Sequence, residues 1–226
     1  MIGQQFAHLQ SPHGEKPFPT IFQYGSFCFS VEPQERIMPR PDPSACDADA
    51  LIDAVIDREG RYVNHPADRG GPTCWGITEA VARAQGYAGP MRDLSRSEAA
   101  SIYRRLYWLR PGFDKVALRA ARIAAELFDT GVNMGTGSAV GFLQRALNAL
   151  NRTARDYPDI AVDREIGPRT LSALDGFLKA RGKAGETVLL RAMEALQGER
   201  YIALAERRPS QEAFLYGWLA NRIGDG

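Results

Sequence analysis

Proline placement constrains this chain more than any other feature. Seven of the 14 prolines (Pro12, Pro17, Pro19, Pro33, Pro39, Pro41 and Pro43) fall in the first 46 residues. Proline has no backbone N–H and its ring clashes with the carbonyl one turn back, so no helix of ordinary length crosses that stretch. The same segment holds five of the ten phenylalanines: Phe6, Phe18, Phe22, Phe27 and Phe29. That is rich in aromatics for a disordered segment, but no helical or strand period links these rings. Residues 1–46 are therefore expected to form a poorly ordered leader, dispensable up to residue 37, with Met38 an alternative natural start. The uncharged run 17–31 does not read as a secretion signal, because two prolines, Gln23, Tyr24 and Gly25 interrupt it and little positive charge precedes it.

From Asp47 the pattern becomes helical. Leu51, Ile52, Val55 and Ile56 share one face, Asp47 or Asp49 suits the N-cap, and Gly60 ends the helix. Residues 61–78, rich in Gly, Pro and Asn, predict a loop or short hairpin. Ser95 and Glu98 form a capping box for a helix that turns Ala99, Ile102, Tyr103 and Leu106 inward. Further helices are predicted at 116–130, 138–150, 168–180 and 186–206, and a last one, after Pro209, carries Phe214, Leu215, Trp218 and Leu219. The fold class is mainly α, with one small irregular or β-hairpin element after the first helix.

Several function classes fall away. Lys plus Arg number 28 and Asp plus Glu 27, a net charge of +1, so the basic excess of a nucleic-acid binder is missing. No apolar run approaches the roughly 18 residues of a membrane span, so no stable membrane insertion is expected. Three cysteines (Cys28, Cys46, Cys74) and three histidines (His8, His13, His65) give neither a disulfide framework nor a zinc spacing. No metal and no organic cofactor is expected.

Glu59 is the first candidate for chemistry. It follows Ile52, Val55 and Ile56 by seven, four and three residues and so ends their apolar stripe. Partial burial and the negative end of the helix dipole both oppose ionisation, which suits a general acid. The competing reading is an ordinary helix-end carboxylate. The following loop adds weight, since Gly70 and Gly71 permit a tight turn that would fold Asp68 and Thr73 back over Glu59. Two carboxylates in different protonation states are the working parts of a glycosidase, a hydroxyl such as Thr73 can hold a water, and Tyr62 and Trp75 can pack on sugar faces.

The stretch EGRYVNHPADRGGPTCWGIT, Glu59 to Thr78, resembles the signature EGGYVNxPxDxGGxTxxGIT of family-108 glycoside hydrolases. The segment Glu126 to Gly135 is similar to that family's FDxxVNxG motif. The run from Leu143 to Leu147, followed by Val162 to Leu171, is similar to the associated predicted peptidoglycan-binding region, with Arg164 where DGxIGPxTL has Gly. The resemblance covers about 47–223. It implies a lysozyme-like helical fold, a catalytic region at 47–137 and a helical peptidoglycan-binding region at 138–226 packed on it.

The resemblance further implies an N-acetylmuramidase of the endolysin or prophage-lysin kind. It would cut the β-1,4 bond between N-acetylmuramic acid and N-acetylglucosamine. Glu59 is then the acid, while Asp68 and Thr73 complete a Glu/Asp/Thr triad like that of phage lysozymes. The Asp68–Thr73 step has four intervening residues here rather than five. Tyr62, Asn64, Trp75, Thr78, Asp129 and Asn133 are expected to bind the saccharide, with Glu126 beside the last two on one helix face. Arg61 replaces the signature's second Gly and sets a cation near the acid. The expected partner is the peptidoglycan glycan strand and the expected state a monomer. Made in the cytoplasm without a recognisable signal peptide, it would reach the wall through a holin or an export machine. The alternatives are a lytic transglycosylase, a muramidase-like wall-binding or regulatory module, and, remotely, a cysteine peptidase using Cys74 and His65.

Overall fold

The computed structural model describes residues 47–64 and 71–224. The leader, Met38, and the loop residues His65, Asp68 and Gly70 lie outside the described residues. The chain divides into two compact units, one ending at Arg110 and the other beginning at Pro111. The expected boundary at 137/138 falls within the second of these.

In the first unit, α1 spans Ala48–Glu59 and buries Ile52, Val55 and Ile56. The Asp47 carboxylate caps it by accepting from the Asp49 amide at 2.9 Å, satisfying one of the donors that a helix start leaves open. Gly60, at φ 72°, ends it as the sequence predicts. Three two-residue strands follow: β1 Tyr62–Val63, β2 Thr73–Cys74 and β3 Ile77–Thr78. They form one antiparallel sheet in the order β1-β2-β3, with Tyr62 opposite Cys74, Val63 opposite Thr73, and Thr73 opposite Thr78.

The turn between β2 and β3 contains only Trp75 and Gly76, at φ 53° and 76°. Two positive φ values are what the twist of a tight hairpin requires. Thr78 then caps α2, Glu79–Ala84, a helix for which the sequence carries no assignment above. The capping box forms as predicted: Ser95 N–H donates to Glu98 at 2.9 Å and Glu98 N–H to Ser95 Oγ at 3.2 Å, opening α3, Arg96–Tyr103. A π-helical turn, Arg104–Leu109, continues it. The wider turn shifts the register, so Tyr107 and Trp108 are buried while Leu106 is only half-buried, which corrects the expectation that Leu106 points inward. Arg96 ties α3 to α1 through Asp53 and Asp57, and Arg104 pairs with Asp49.

In the second unit, the predicted helix over 116–130 is two helices, α4 Phe113–Ala117 and α5 Ala121–Met134. Ala120, in extended geometry at φ −149° and ψ 90°, separates them, and no local sequence signal marks that break. Gly135 joins α5 to α6, Thr136–Ala149. The long element α7, Pro168–Arg207, is broken at Gly182, whose φ of 62° is non-helical. That break agrees with the predicted separation of 168–180 from 186–206. A short 3₁₀ turn after Arg208 leads into α8, Glu212–Arg222.

The loop before α7 is organised by Gln144, which is fully buried. Its amide donates to Asp163 Oδ1 at 2.7 Å and to Thr170 Oγ1 at 3.0 Å, and its carbonyl accepts from the Arg164 amide. The Gln144 hydrogen bond, with a backbone bond from Glu165, holds the Asp163 carboxyl below the usual range. Arg164 sits at φ 66°, where the resembling motif has Gly, and its stem lies against Gly137 and Gly141.

Candidate active site

Glu59 is the last residue of α1 and is half-buried. Its side chain runs beneath the β2–β3 turn. A methyl group placed on Gly76 would lie 2.8 Å from Glu59 Cγ, 3.1 Å from Glu59 Cβ and 2.6 Å from the Tyr103 hydroxyl oxygen. Contacts under about 3 Å are not tolerated, so only the absence of a side chain at Gly76 lets these three groups meet. The turn is pinned from both sides. Tyr103 O–H donates to the Trp75 carbonyl at 3.1 Å, and Trp75 Nε1–H donates to the Leu94 carbonyl at 2.9 Å. These bonds help to hold Trp75 in the left-handed region, which costs a non-glycine residue about 1–2 kcal/mol.

Tyr103 is fully buried. Burial, first, and then the neighbouring Glu59 charge push its phenol well above the ordinary tyrosine value. It is therefore a neutral O–H donor at any physiological pH, placed beside the Glu59 side chain. In the sequence Tyr103 reads only as a core residue. Its distance in the chain from Glu59 hides this second role.

Thr73 lies on β2, paired with both Val63 and Thr78. Its hydroxyl oxygen is buried and makes no hydrogen bond among the described residues. Buried hydroxyls are nearly always bonded, so Thr73 is an exception to that pattern. Asp68, expected beside it, lies outside the described residues.

The other expected binding residues differ in what already occupies them. Tyr62 is half-buried with the Arg92 guanidinium 5.7 Å from its ring centroid. Trp75 has two guanidinium groups over its ring, Arg61 at 5.6 Å and Arg96 at 6.0 Å. Asn64 is exposed at the end of β1. The Thr78 hydroxyl is used as the cap of α2, accepting from the Val81 amide at 3.4 Å, and the residue is buried.

Asp129 and Asn133 sit on α5 in the second unit. Asn133 Nδ2 donates to the Asp129 carbonyl at 2.7 Å and to its carboxylate at 3.2 Å, and Arg222 donates to Asp129 Oδ2 at 2.7 Å. Glu126 accepts from Thr130 at 2.8 Å, and Thr130 in turn accepts from the buried Gln197. These groups share the expected face, with intramolecular partners.

Cys74 is a free thiol with 2% exposure. Burial pushes its pKa up, against a smaller opposing effect of Arg61. A nucleophilic cysteine needs the reverse shift, which runs against the peptidase alternative. No group of three potential metal ligands occurs among the described residues. No helix among them is long and apolar enough to cross a membrane.

Residues 52–135 match the model of the family described as Glycosyl hydrolase 108, and residues 138–223 match that of the Predicted Peptidoglycan domain. No curated protein matches the chain. Ten chains of solved structures match. One of them, from Brucella abortus SagA, is 24% identical, aligned over 74% of this chain and 95% of that one with a TM-score of 0.46.

Proposed function

We propose that the protein, whose residues 52–135 match the glycosyl hydrolase 108 family model, is a peptidoglycan hydrolase of the N-acetylmuramidase type, with Glu59 as its general acid. The observation that carries this reading is the setting of Glu59: half-buried at a helix end, fixed against Gly76 and beside the neutral O–H of Tyr103. A positioned carboxyl of this kind is what proton transfer to a glycosidic oxygen requires.

In the proposed reaction Glu59 protonates the oxygen between N-acetylmuramic acid and N-acetylglucosamine as that bond breaks. Positive charge develops on the anomeric carbon of the N-acetylmuramic acid, and Asp68 stabilises it or orients the attacking water, whose oxygen bonds to that carbon while its spare proton passes to a carboxylate of the site. Thr73, whose hydroxyl has no partner among the described residues, holds that water. Tyr103 keeps the Trp75–Gly76 turn in place and so positions Glu59. The match of residues 138–223 to the Predicted Peptidoglycan domain supports the glycan strand as the partner.

Mass spectrometry of purified peptidoglycan after digestion tests the reading. New reducing muramic acid ends are expected. Anhydro ends would assign the site to a lytic transglycosylase, and an unaltered polymer would assign the chain to wall binding without catalysis.

A further inference from the structure

Two guanidinium groups lie over the Trp75 ring, and their surroundings differ. Arg96 bonds Asp53 at 2.9 Å and also pairs with Asp57, so two carboxylates offset its charge. Arg61 is exposed and makes no ion pair among the described residues. Its Cζ lies 5.6 Å from the indole centroid, and its backbone carbonyl accepts from the Trp75 amide at 3.3 Å. The indole itself is fixed by its bond to Leu94 and by the tight turn.

Stacking on an aromatic ring covers the face of a guanidinium and limits its rotamers. It leaves the in-plane N–H groups at the edge free to donate. An arginine held in this way, with no carboxylate paired to it among the described residues, is prepared for a planar anion that takes two parallel N–H bonds. Arg61 stands two residues after Glu59 and replaces the Gly of the signature that the chain resembles.

We infer that Arg61, held on the Trp75 ring, is a specificity-determining residue that binds a carboxylate on the muramyl branch of the glycan strand. The inference rests on the proposed peptidoglycan substrate and adds to it the chemical feature that is selected. N-acetylglucosamine rings are uncharged. Carboxylates along such a strand belong to the lactyl ether of the muramic residue, where that is unsubstituted, or to the stem peptide it carries. Both sources present the same planar anion. Arg61 therefore favours muramyl strands over neutral N-acetylhexosamine chains by holding the branch, while Glu59 acts on the backbone bond.

Binding to solubilised glycan strands, measured in the Glu59→Gln background so that no turnover intervenes, tests this. Three probes are compared: strands bearing stem peptides, strands stripped of stems by an amidase, and neutral chitin oligomers. Adding Arg61→Gln is expected to weaken binding about tenfold on one or both acidic probes, as for loss of a charge-assisted bidentate contact, and to leave chitin unchanged. Loss confined to stem-bearing strands identifies the stem carboxylates, and loss confined to stripped strands identifies the lactyl group. Arg61→Lys, which keeps the charge without the fork, is expected to recover only part of the affinity. Arg105→Gln, an exposed arginine of the same unit, is expected to bind as its parent does. In the enzyme with Glu59 intact, Arg61→Gln should raise KM with kcat retained.

Equal loss on all three probes, or none on any, in an Arg61→Gln protein that melts normally would overturn the inference. Selective binding of acidic strands by a protein that cleaves none of them would sustain it and defeat the hydrolase reading instead.

Discussion

Gly76 and Glu59 are in contact so close that the turn has no room for a β-carbon, which would lie 2.8 Å from Glu59 Cγ. Gly76 also sits at φ 76°, where an L side chain is strained. Gly76→Ala therefore has to move Glu59, Tyr103 or the turn. Overpacking of this kind costs about 1–3 kcal/mol. A lower melting temperature and a loss of wall-lysis rate larger than that destabilisation explains are expected. A variant matching the parent in both thermal melting and turbidity decay would show that the contact does not position the acid.

Glu59→Gln keeps the shape of the side chain and removes the proposed proton donor. General acid catalysis contributes about 10²–10⁴-fold, so the lysis rate should drop by at least the lower figure while the melting temperature changes little. Undiminished lysis by the Gln variant would remove Glu59 from the mechanism.

Thr73→Val separates a catalytic hydroxyl from a structural one. A buried hydroxyl without a partner costs about 1–3 kcal/mol, and a methyl in its place is apolar and nearly isosteric. The Val variant should melt at the same temperature or higher and yet turn over at least tenfold more slowly, as expected if the hydroxyl holds the attacking water. Reduced stability with turnover unchanged would mark the hydroxyl as structural.

The two candidate second carboxylates should respond differently. Asp129 bonds Arg222 and Asn133, so Asp129→Asn should lower stability by about 1 kcal/mol or less, the usual range for a pair that solvent reaches, with little effect on kcat. Asp68→Asn should lower kcat and leave the melting temperature near that of the parent. Chemical denaturation and steady-state kinetics on both variants decide between them, and the reverse pattern would transfer the role to Asp129.

Alkaline pH should weaken the fold through buried phenols. Burial raises Tyr103 well above its ordinary value and raises Tyr157, whose O–H donates to the Leu147 carbonyl, to about 12. A folded pKa above the unfolded one means that the stabilisation is complete below about pH 10 and is lost as pH rises toward the folded value. Denaturation midpoints followed from pH 9 to 12 should fall, and should fall less steeply in Tyr157→Phe. Parallel slopes for parent and variant would show that Tyr157 ionises as readily in the fold as out of it.

Short-range signals determined the parts of this protein that lie within a turn or two of themselves. Asp47 and Gly60 bound α1, Ser95 and Glu98 open α3, and the apolar stripe ends at Glu59, because capping and helical periodicity act over three or four residues. The expected gap between two C-terminal helices coincides with Gly182 for the same reason. Tertiary structure alone decided what surrounds Glu59. Arg61 reads in the sequence as a cation beside the acid, but the hairpin register sets it over Trp75. Arg96 reads only as the first residue of a capped helix, yet it reaches Asp53 and Asp57, 43 and 39 residues earlier. Ala120 breaks a continuous apolar pattern although nothing in its neighbours forbids a helix. Trp75 adopts a positive φ that its own sterics oppose, in a turn held by Leu94 and Tyr103. Each of these depends on groups far apart in the chain whose distances are fixed only when the elements pack, and periodicity carries no information about them.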